Sequence, residues 1–375
     1  MAKTITNEAV KAPYPKITDK RLEQIRFTME DLKVDAVVIT YLPNIRYLTN
    51  FSGSNAVIFI TFEEIHFFTD DRYEEQIKTE LFPLPNLNTY ITREVWKYVK
   101  KKKVLKQATT LSFESDRVTY SDAVAIRNQL RPLKFKPAVN LVERFTVPKS
   151  PEEVDYIQKA CDISLKTLDK VLKKVKPGVS EIDLAIDIAY VSRQLGSEGD
   201  PFDIIVTSGP RGAIVHGKPT DRIIKPGDLI IFDFGSKVNG FCSDMTRTVA
   251  VGKATKEQKS MYKMLVQAKD AAVTNVRPGM NGKTLDEYSR SIIKKGGFGN
   301  NFQHSLGHGI GLMAHEMPTI TFRMNDQIVP EHAVIAIEPG VYFPDKFGMR
   351  VEDLVQVTRT GGKYITKAPN ELVVV

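Results

Sequence analysis

Two stretches of the chain, about a hundred residues apart, follow one pattern: "VKPGVSEIDLAIDIAYVSRQLG" at 175–196 and "VRPGMNGKTLDEYSRSIIKKGG" at 276–297. Each opens on Pro-Gly and continues with the apolar spacing of an amphipathic helix. The likeness runs on downstream. An irregular segment with a histidine follows each, His216 in one and His315 in the other. Next come "IKPGDLIIFDFG" (224–235) and "IVPEHAVIAIEPG" (328–340), strands that each carry one acid late, Asp233 or Glu338. A second acid closes each copy, Asp244 or Glu352. The offsets are 101 for the Pro-Gly, 99 for the histidines, 105 for the first acids and 108 for the second, a drift that short insertions explain. A duplication of this kind constrains the fold strongly. Each copy is one supersecondary unit, and two copies facing each other across a pseudo-twofold bury their apolar faces together.

The duplicated region is preceded by a clear helix start. Ser150 is placed to cap, Pro151 suits the first helical position and Glu153 completes a capping box. Val154, Ile157, Cys161, Leu165, Leu168 and Leu172 recur at three- and four-residue intervals, so this helix buries one face and Cys161 is a core residue. The residues before it alternate differently. "DAVVIT" (35–40), "AVIFIT" (56–61), "IHFFTD" (65–70) and "TTLSFESD" (109–116) read as strands, with helical spacing near 72–81 and 121–131. The chain therefore reads as α/β (α+β), with a small α/β domain over 1–145 and a larger, internally repeated domain over 146–375.

The repeat assembles carboxylates. In "LIIFDFGSKVNGFCSDMTRTVAV" (229–251) two apolar strands flank a polar turn, a hairpin pattern. A two-residue loop centred on either Val238–Asn239 or Asn239–Gly240 puts Asp233 and Asp244 on one face, directly opposite or diagonal, about 5–8 Å apart. Two carboxylates so close repel, and a cation removes the conflict. Asp233 interrupts a run that should be buried, so it needs a partner. Glu338 after "AVIAI" and Glu352 in "GMRVEDLVQV" repeat the situation, with Arg350 as an alternative partner for Glu352. Four acids exceed what one ion needs. They suit a pair of hard divalent cations roughly 3.5 Å apart, with one neutral imidazole to complete the set.

Four of the six histidines fall between 216 and 315. His308 has no counterpart in the first copy and is the candidate fifth ligand, whereas the matched pair His216 and His315 would flank the pocket. His304 is unassigned, and His66 and His332 read as ordinary strand or surface residues. "SLGHGIGLMAHEMP" (305–318) also excludes alternatives. Thr319 stands where an HExxH helix needs its second histidine, and the glycines lack the strand–helix context of a dinucleotide loop. Glycines at this density let backbone approach an ion or substrate closely.

"VHGKPTDR", "FDFG…SDMTRT", "GHGIGLMAHEMP", "AIEPG" and "MRVED", in this order, resemble the pita-bread metallopeptidases, the group of methionine aminopeptidase, prolidase and aminopeptidase P. The resemblance spans roughly 150–375 and implies a pita-bread catalytic domain. It implies Asp233, Asp244, His308, Glu338 and Glu352 as ligands of two divalent ions, Mn²⁺ first, with Co²⁺ or Zn²⁺ as the other candidates. It further implies His216 and His315 as substrate-facing histidines, Glu338 as general base and Arg350 as a residue that orders the site. "RYLTNFSGSNAVIFIT" (46–61) and "FFTDDRYEEQ" (68–76) resemble the creatinase-type N-terminal domain of the proline-specific branch. Met313 is a departure, since many relatives carry an acid there.

The expectation is an Xaa-Pro aminopeptidase acting on proline-containing peptides, with a strict Xaa-Pro dipeptidase as the alternative. A metal-free creatinase-like hydrolase and a non-catalytic binding module are remoter, because neither has reason to keep five ligands. The net charge of +8 carries no aromatic-interleaved basic stripe, so neither nucleic acid nor membrane is expected as a partner. Lys100–Lys103 reads as one exposed patch. No segment has the length to span a membrane, "MAKTITNEAVKAPYP" lacks a signal-type apolar core, and two cysteines give no disulfide framework, which together suggest the cytoplasm. A homodimer is expected from the resemblance alone.

Overall fold

The structure is a computed structural model and describes residues 3–5, 17–324 and 326–375, so most of "MAKTITNEAVKAPYP" lies outside the described residues. The chain divides into two compact units, Met1–Thr146 and Val147–Val375.

The first unit is built on a seven-stranded mixed sheet, ordered Lys3–Ile5, Leu87–Ile91, Ile65–Thr69, Ala56–Thr61, Ala36–Ile39, Thr110–Glu114, Lys134–Ala138. Four of these strands are the β-branched and aromatic runs legible in the sequence. The central ones pack Val38, Phe59, Phe68 and Leu111, all essentially inaccessible, against helices Val95–Lys102 and Tyr120–Leu130. The stretch 72–81 differs from the helix its spacing predicts, since only Ile77–Glu80 is α-helical. The Asp70 carboxylate accepts from the Arg72 backbone N–H at 3.1 Å and from its guanidinium at 2.8 and 2.7 Å, winding Asp71–Tyr73 into a 3₁₀ turn.

The second unit states the duplication directly. Helices Pro151–Leu172 and Glu181–Gln194 precede three antiparallel strands, Ile205–Ser208, Leu229–Phe234 and Met245–Ala250. Helices Lys256–Asn275 and Gly282–Lys295 precede Gly307–Gly309, Val334–Ile337 and Asp353–Thr358, also antiparallel. Even the caps repeat. Ser150 with Glu153, Ser180 with Asp183, and Thr255 with Gln258 form reciprocal capping boxes, and Asn281 caps the fourth helix. Cys161 is buried on the first helix as its spacing requires, its thiol pushed up to about 12 by desolvation.

The two halves meet where their last strands run past each other. The Glu352 N–H donates to the Thr246 carbonyl at 3.1 Å, Thr248 Oγ1 donates to the Arg350 carbonyl at 2.9 Å, and the Arg350 N–H donates to Thr248 Oγ1 at 3.0 Å. Behind this seam lies a buried charge cluster. Asp353 accepts from Arg247 Nη2 at 2.6 Å and from the fully buried Lys269 ammonium, and Arg247 Nη1 also donates to the Glu352 carbonyl at 2.6 Å. Asp353→Ala therefore leaves two buried cations facing each other. We expect a loss of about 3–5 kcal/mol, read as a lowered midpoint in urea unfolding.

Candidate metal centre

Both copies of the repeat deliver their acids through hairpin register. Asn239 and Gly240 have φ of 48° and 80° and join strands paired Val238↔Phe241 and Lys237↔Cys242. A non-glycine at positive φ followed by Gly is the signature of the two-residue hairpin turn, and Asn tolerates it. The turn is thus centred on Asn239–Gly240, the same register pairs Asp233 with Thr246, and Asp244 lies diagonal to Asp233. In the second copy the pairs Ile337↔Asp353 and Gly340↔Arg350 bracket Glu338 and Glu352, which fall directly opposite each other.

The crossing of the two halves brings all four acids together. Oxygens of Asp233, Asp244 and Glu352 lie within 4.8 Å of one another. A second group, also within 4.8 Å, joins Asp244 to His308 and His315. Glu338 closes the cluster, with its Oε1 3.8 Å from His308 Nε2, while Asp244 Oδ2 is 3.7 Å from the same nitrogen. His308 and His315, seven apart in sequence, have ring centroids 4.3 Å apart. His308 is buried and His315 is exposed. His216, also exposed, follows Val215, whose carbonyl accepts from Arg350 Nη1 at 3.2 Å.

The electrostatics demand a cation. Burial first, then the neighbouring acids, raise Asp244 and Glu338 well above the usual carboxylate range. Burial with Asp233 raises Glu352 to about 8. Arg350 is the one cation among the described residues within hydrogen-bond reach of the four acids, donating from Nη2 to Asp233 Oδ2 at 2.5 Å. Asp233 Oδ1, Asp244 Oδ1 and Glu352 Oε1 are buried and have no hydrogen-bond partner among the described residues. The His308 Nδ1 bonds the Gly309 carbonyl at 3.0 Å, and since a carbonyl only accepts, Nδ1 carries the proton. The bare Nε2 lone pair then faces two carboxylate oxygens, an arrangement that repels unless a positive ion stands between them. Burial, with His315 adding to it, lowers His308 to about 4, so protonation does not resolve the conflict at neutral pH. Three orphaned oxygens and one bare imidazole nitrogen fit divalent metal ions.

A second layer orients this set, and of its members only Arg350 was expected from the sequence. Thr246 Oγ1 donates to Glu352 Oε2 at 2.7 Å and accepts from Arg350 Nε at 3.1 Å. Arg350 Nη1 donates to the Tyr342 hydroxyl oxygen at 2.7 Å, and Tyr342 is 2.9 Å from His304 Nε2. His304 Nδ1 lies 2.8 Å from the Ser305 carbonyl and must donate to it, so Nε2 accepts from Tyr342. The hydrogen bonds from His304 to Asp233 therefore fix which Asp233 oxygen is engaged and which is free. Only Thr246, two residues after Asp244, and Tyr342, four residues after Glu338, could have signalled these partners in the sequence. Tyr342→Phe breaks this chain, and we expect metal affinity to fall about 10–100-fold with the fold intact, measured by competition with a fluorescent chelator.

The comparisons agree with this architecture. Residues 155–359 match the model of metallopeptidase family M24, and residues 21–145 match the Creatinase/Prolidase N-terminal domain. The Xaa-Pro dipeptidase of Pyrococcus furiosus is 33% identical over 94% of this chain and 99% of that protein. The Xaa-Pro dipeptidase structure from Bacillus anthracis superposes with a TM-score of 0.90 at 33% identity, covering 96% of this chain and 100% of that one. The X-Pro aminopeptidase structure from Thermotoga maritima gives 0.87 at 32%, covering 94% and 99%. A duplicated unit with acids from both halves, preceded in sequence by a creatinase-type N-terminal domain, thus coincides with family-wide similarity along almost the whole chain, and the chain belongs to metallopeptidase family M24.

Proposed function

We propose that the chain is a metal-dependent exopeptidase that releases the N-terminal residue from peptides with proline at the second position. The observation that carries this reading is the set of three unpartnered buried carboxylate oxygens beside the bare His308 Nε2. Asp233, Asp244, His308, Glu338 and Glu352 would hold two divalent ions. Mn²⁺ suits a set of four carboxylates and one imidazole best, with Co²⁺ or Zn²⁺ as substitutes. Bound there, the ions supply Lewis-acid polarisation and a water of lowered pKa.

The chain's own residues do the rest. Glu338, whose side chain keeps 20% of its surface exposed, accepts the proton of the attacking water at its carboxylate. His315 and His216, both exposed, donate hydrogen bonds to the substrate carbonyl or to the proline leaving group as charge develops. Arg350 holds Asp233 through Nη2 and so orients the ligand set.

The names of the Pyrococcus and Bacillus relatives favour a second reading, a strict Xaa-Pro dipeptidase. Hydrolysis of Ala-Pro and Ala-Pro-Ala, with Mn²⁺, Co²⁺ or Zn²⁺ restored after chelation, separates the two. The aminopeptidase reading expects both to be cleaved, and cleavage of Ala-Pro alone would assign the dipeptidase. A homodimer is the assembly we propose, checked by light scattering. We place the protein in the cytoplasm, where its two buried free cysteines stay reduced. No helix among the described residues is long and apolar enough to cross a membrane.

A further inference from the structure

The chain's positive charge is not spread evenly. Residues 95–113 hold six lysines and no acid, and residues 123–142 hold four cations and no acid. Together these two segments carry more positive charge than the +8 net charge of the whole chain. Far apart in sequence, they fold side by side in the first unit, as helix Val95–Lys102 with the turns after it, and helix Tyr120–Leu130 with the turn leading into strand Lys134–Ala138.

Between them lies a cavity of about 270 Å³. Its accessible apolar wall is Ala108, Pro132 and Leu133, backed by the buried core around Val99 and Leu130, and every charged residue that lines it is a cation: Lys100, Lys103, Lys106 and Arg131. None of these four has an acidic partner among the described residues. The next cations along the chain differ, since Arg93 pairs with Asp71 at 2.8 Å and Lys97 pairs with Glu94. Four unpaired cations around one concavity repel one another, and an anion relieves that repulsion. Lysines in the last helical turn complement its dipole, but Lys106 and Arg131 lie beyond the helix and need another reason.

We propose that this cavity is a binding site for a small phosphorylated ligand with an aromatic body, the ring against Ala108, Pro132 and Leu133 and the phosphate among the four cations. A concave apolar floor with a few convergent charges is the general form of a ligand pocket, and this volume lies just below the small end of the usual range, about 300 Å³. Free phosphate would use the rim alone. An aryl or nucleoside phosphate would use rim and floor together.

The test is isothermal titration of the metal-loaded full chain with 1-naphthyl phosphate, AMP and inorganic phosphate. Binding of one equivalent of 1-naphthyl phosphate, AMP or both, at least tenfold tighter than inorganic phosphate, supports the site, and the stronger of the two tells an aryl from a nucleoside source. K106E/R131E should weaken that binding at least tenfold and leave Xaa-Pro hydrolysis unchanged. K106Q/R131Q serves the same purpose if the charge reversals fail to fold. Equal affinity for all three ligands, no binding at millimolar concentration, or unchanged affinity in both variants would overturn it.

Discussion

Replacing Asp244 by alanine lowers kcat/KM for an Xaa-Pro peptide by about a thousandfold or more, a loss of roughly 4 kcal/mol in transition-state stabilisation. Asp244 is the residue common to both close-packed groups, with Asp233 and Glu352 on one side and His308 and the substrate-facing His315 on the other. No other residue is shared by the two groups, so its removal would take a carboxylate from both. The expected signature is specific. In the metal-free protein Asp244 is a buried acid raised by desolvation and by Glu352, so its loss relieves repulsion. Asp244→Ala should therefore bind less metal and lose activity, yet melt no lower than the metal-free parent. A variant that merely unfolds would melt lower, and one that keeps full activity would remove Asp244 from the centre.

Metal removal should also create a pH dependence of stability that the loaded protein lacks. Glu352, Asp244 and Glu338 have folded pKa values raised above their unfolded ones, Glu352 to about 8. Across that interval the folded chain binds more protons than the unfolded chain, so stability falls as pH rises. The buried histidines act in the opposite sense. His304 is lowered to about 3 and His308 to about 4, both first by burial, and their contribution grows only until pH passes the ordinary imidazole value of about 6.5. The two effects offset each other below pH 6.5, and only the acids act between 6.5 and 8. The metal-free protein should lose about 5 °C or more in Tm across that window, and the loaded protein should stay nearly flat. Calorimetry at three pH values decides it. A metal-free protein that is flat or gains stability there would mean the acids are not forced together.

How much of this was readable follows from which interactions are local. The repeat, the cap at Ser150 and the strand around Asp233 are set by neighbours in sequence, and they read correctly. The hairpin turn left two registers open because Val238, Asn239 and Gly240 permit both. The left-handed Asn239–Gly240 pair settles it and makes the first pair of acids diagonal, while the second pair is directly opposed. His308 and His315 looked separable by seven residues, yet their rings nearly touch, because the glycine-rich segment doubles back. The His304–Tyr342–Arg350 chain was illegible because each link joins different elements and no periodicity marks it. Strand Lys134–Ala138 was missed for another reason. Its lysines and Pro137 obscure the pattern, and it sits at a sheet edge, where proline and charge are tolerated. The reading of Lys100–Lys103 as an isolated patch likewise lacked the fold, which sets Arg131 beside it.

The central claim is that acids from both halves hold two metal ions on which Xaa-Pro cleavage depends. It is tested most directly by stripping the protein with chelator, titrating Mn²⁺ back, and recording bound metal and Ala-Pro hydrolysis on the same samples. Activity should be absent without metal and reach its plateau as the second equivalent binds. Full activity with no metal bound, or a plateau reached with no more than one ion per chain, would contradict it.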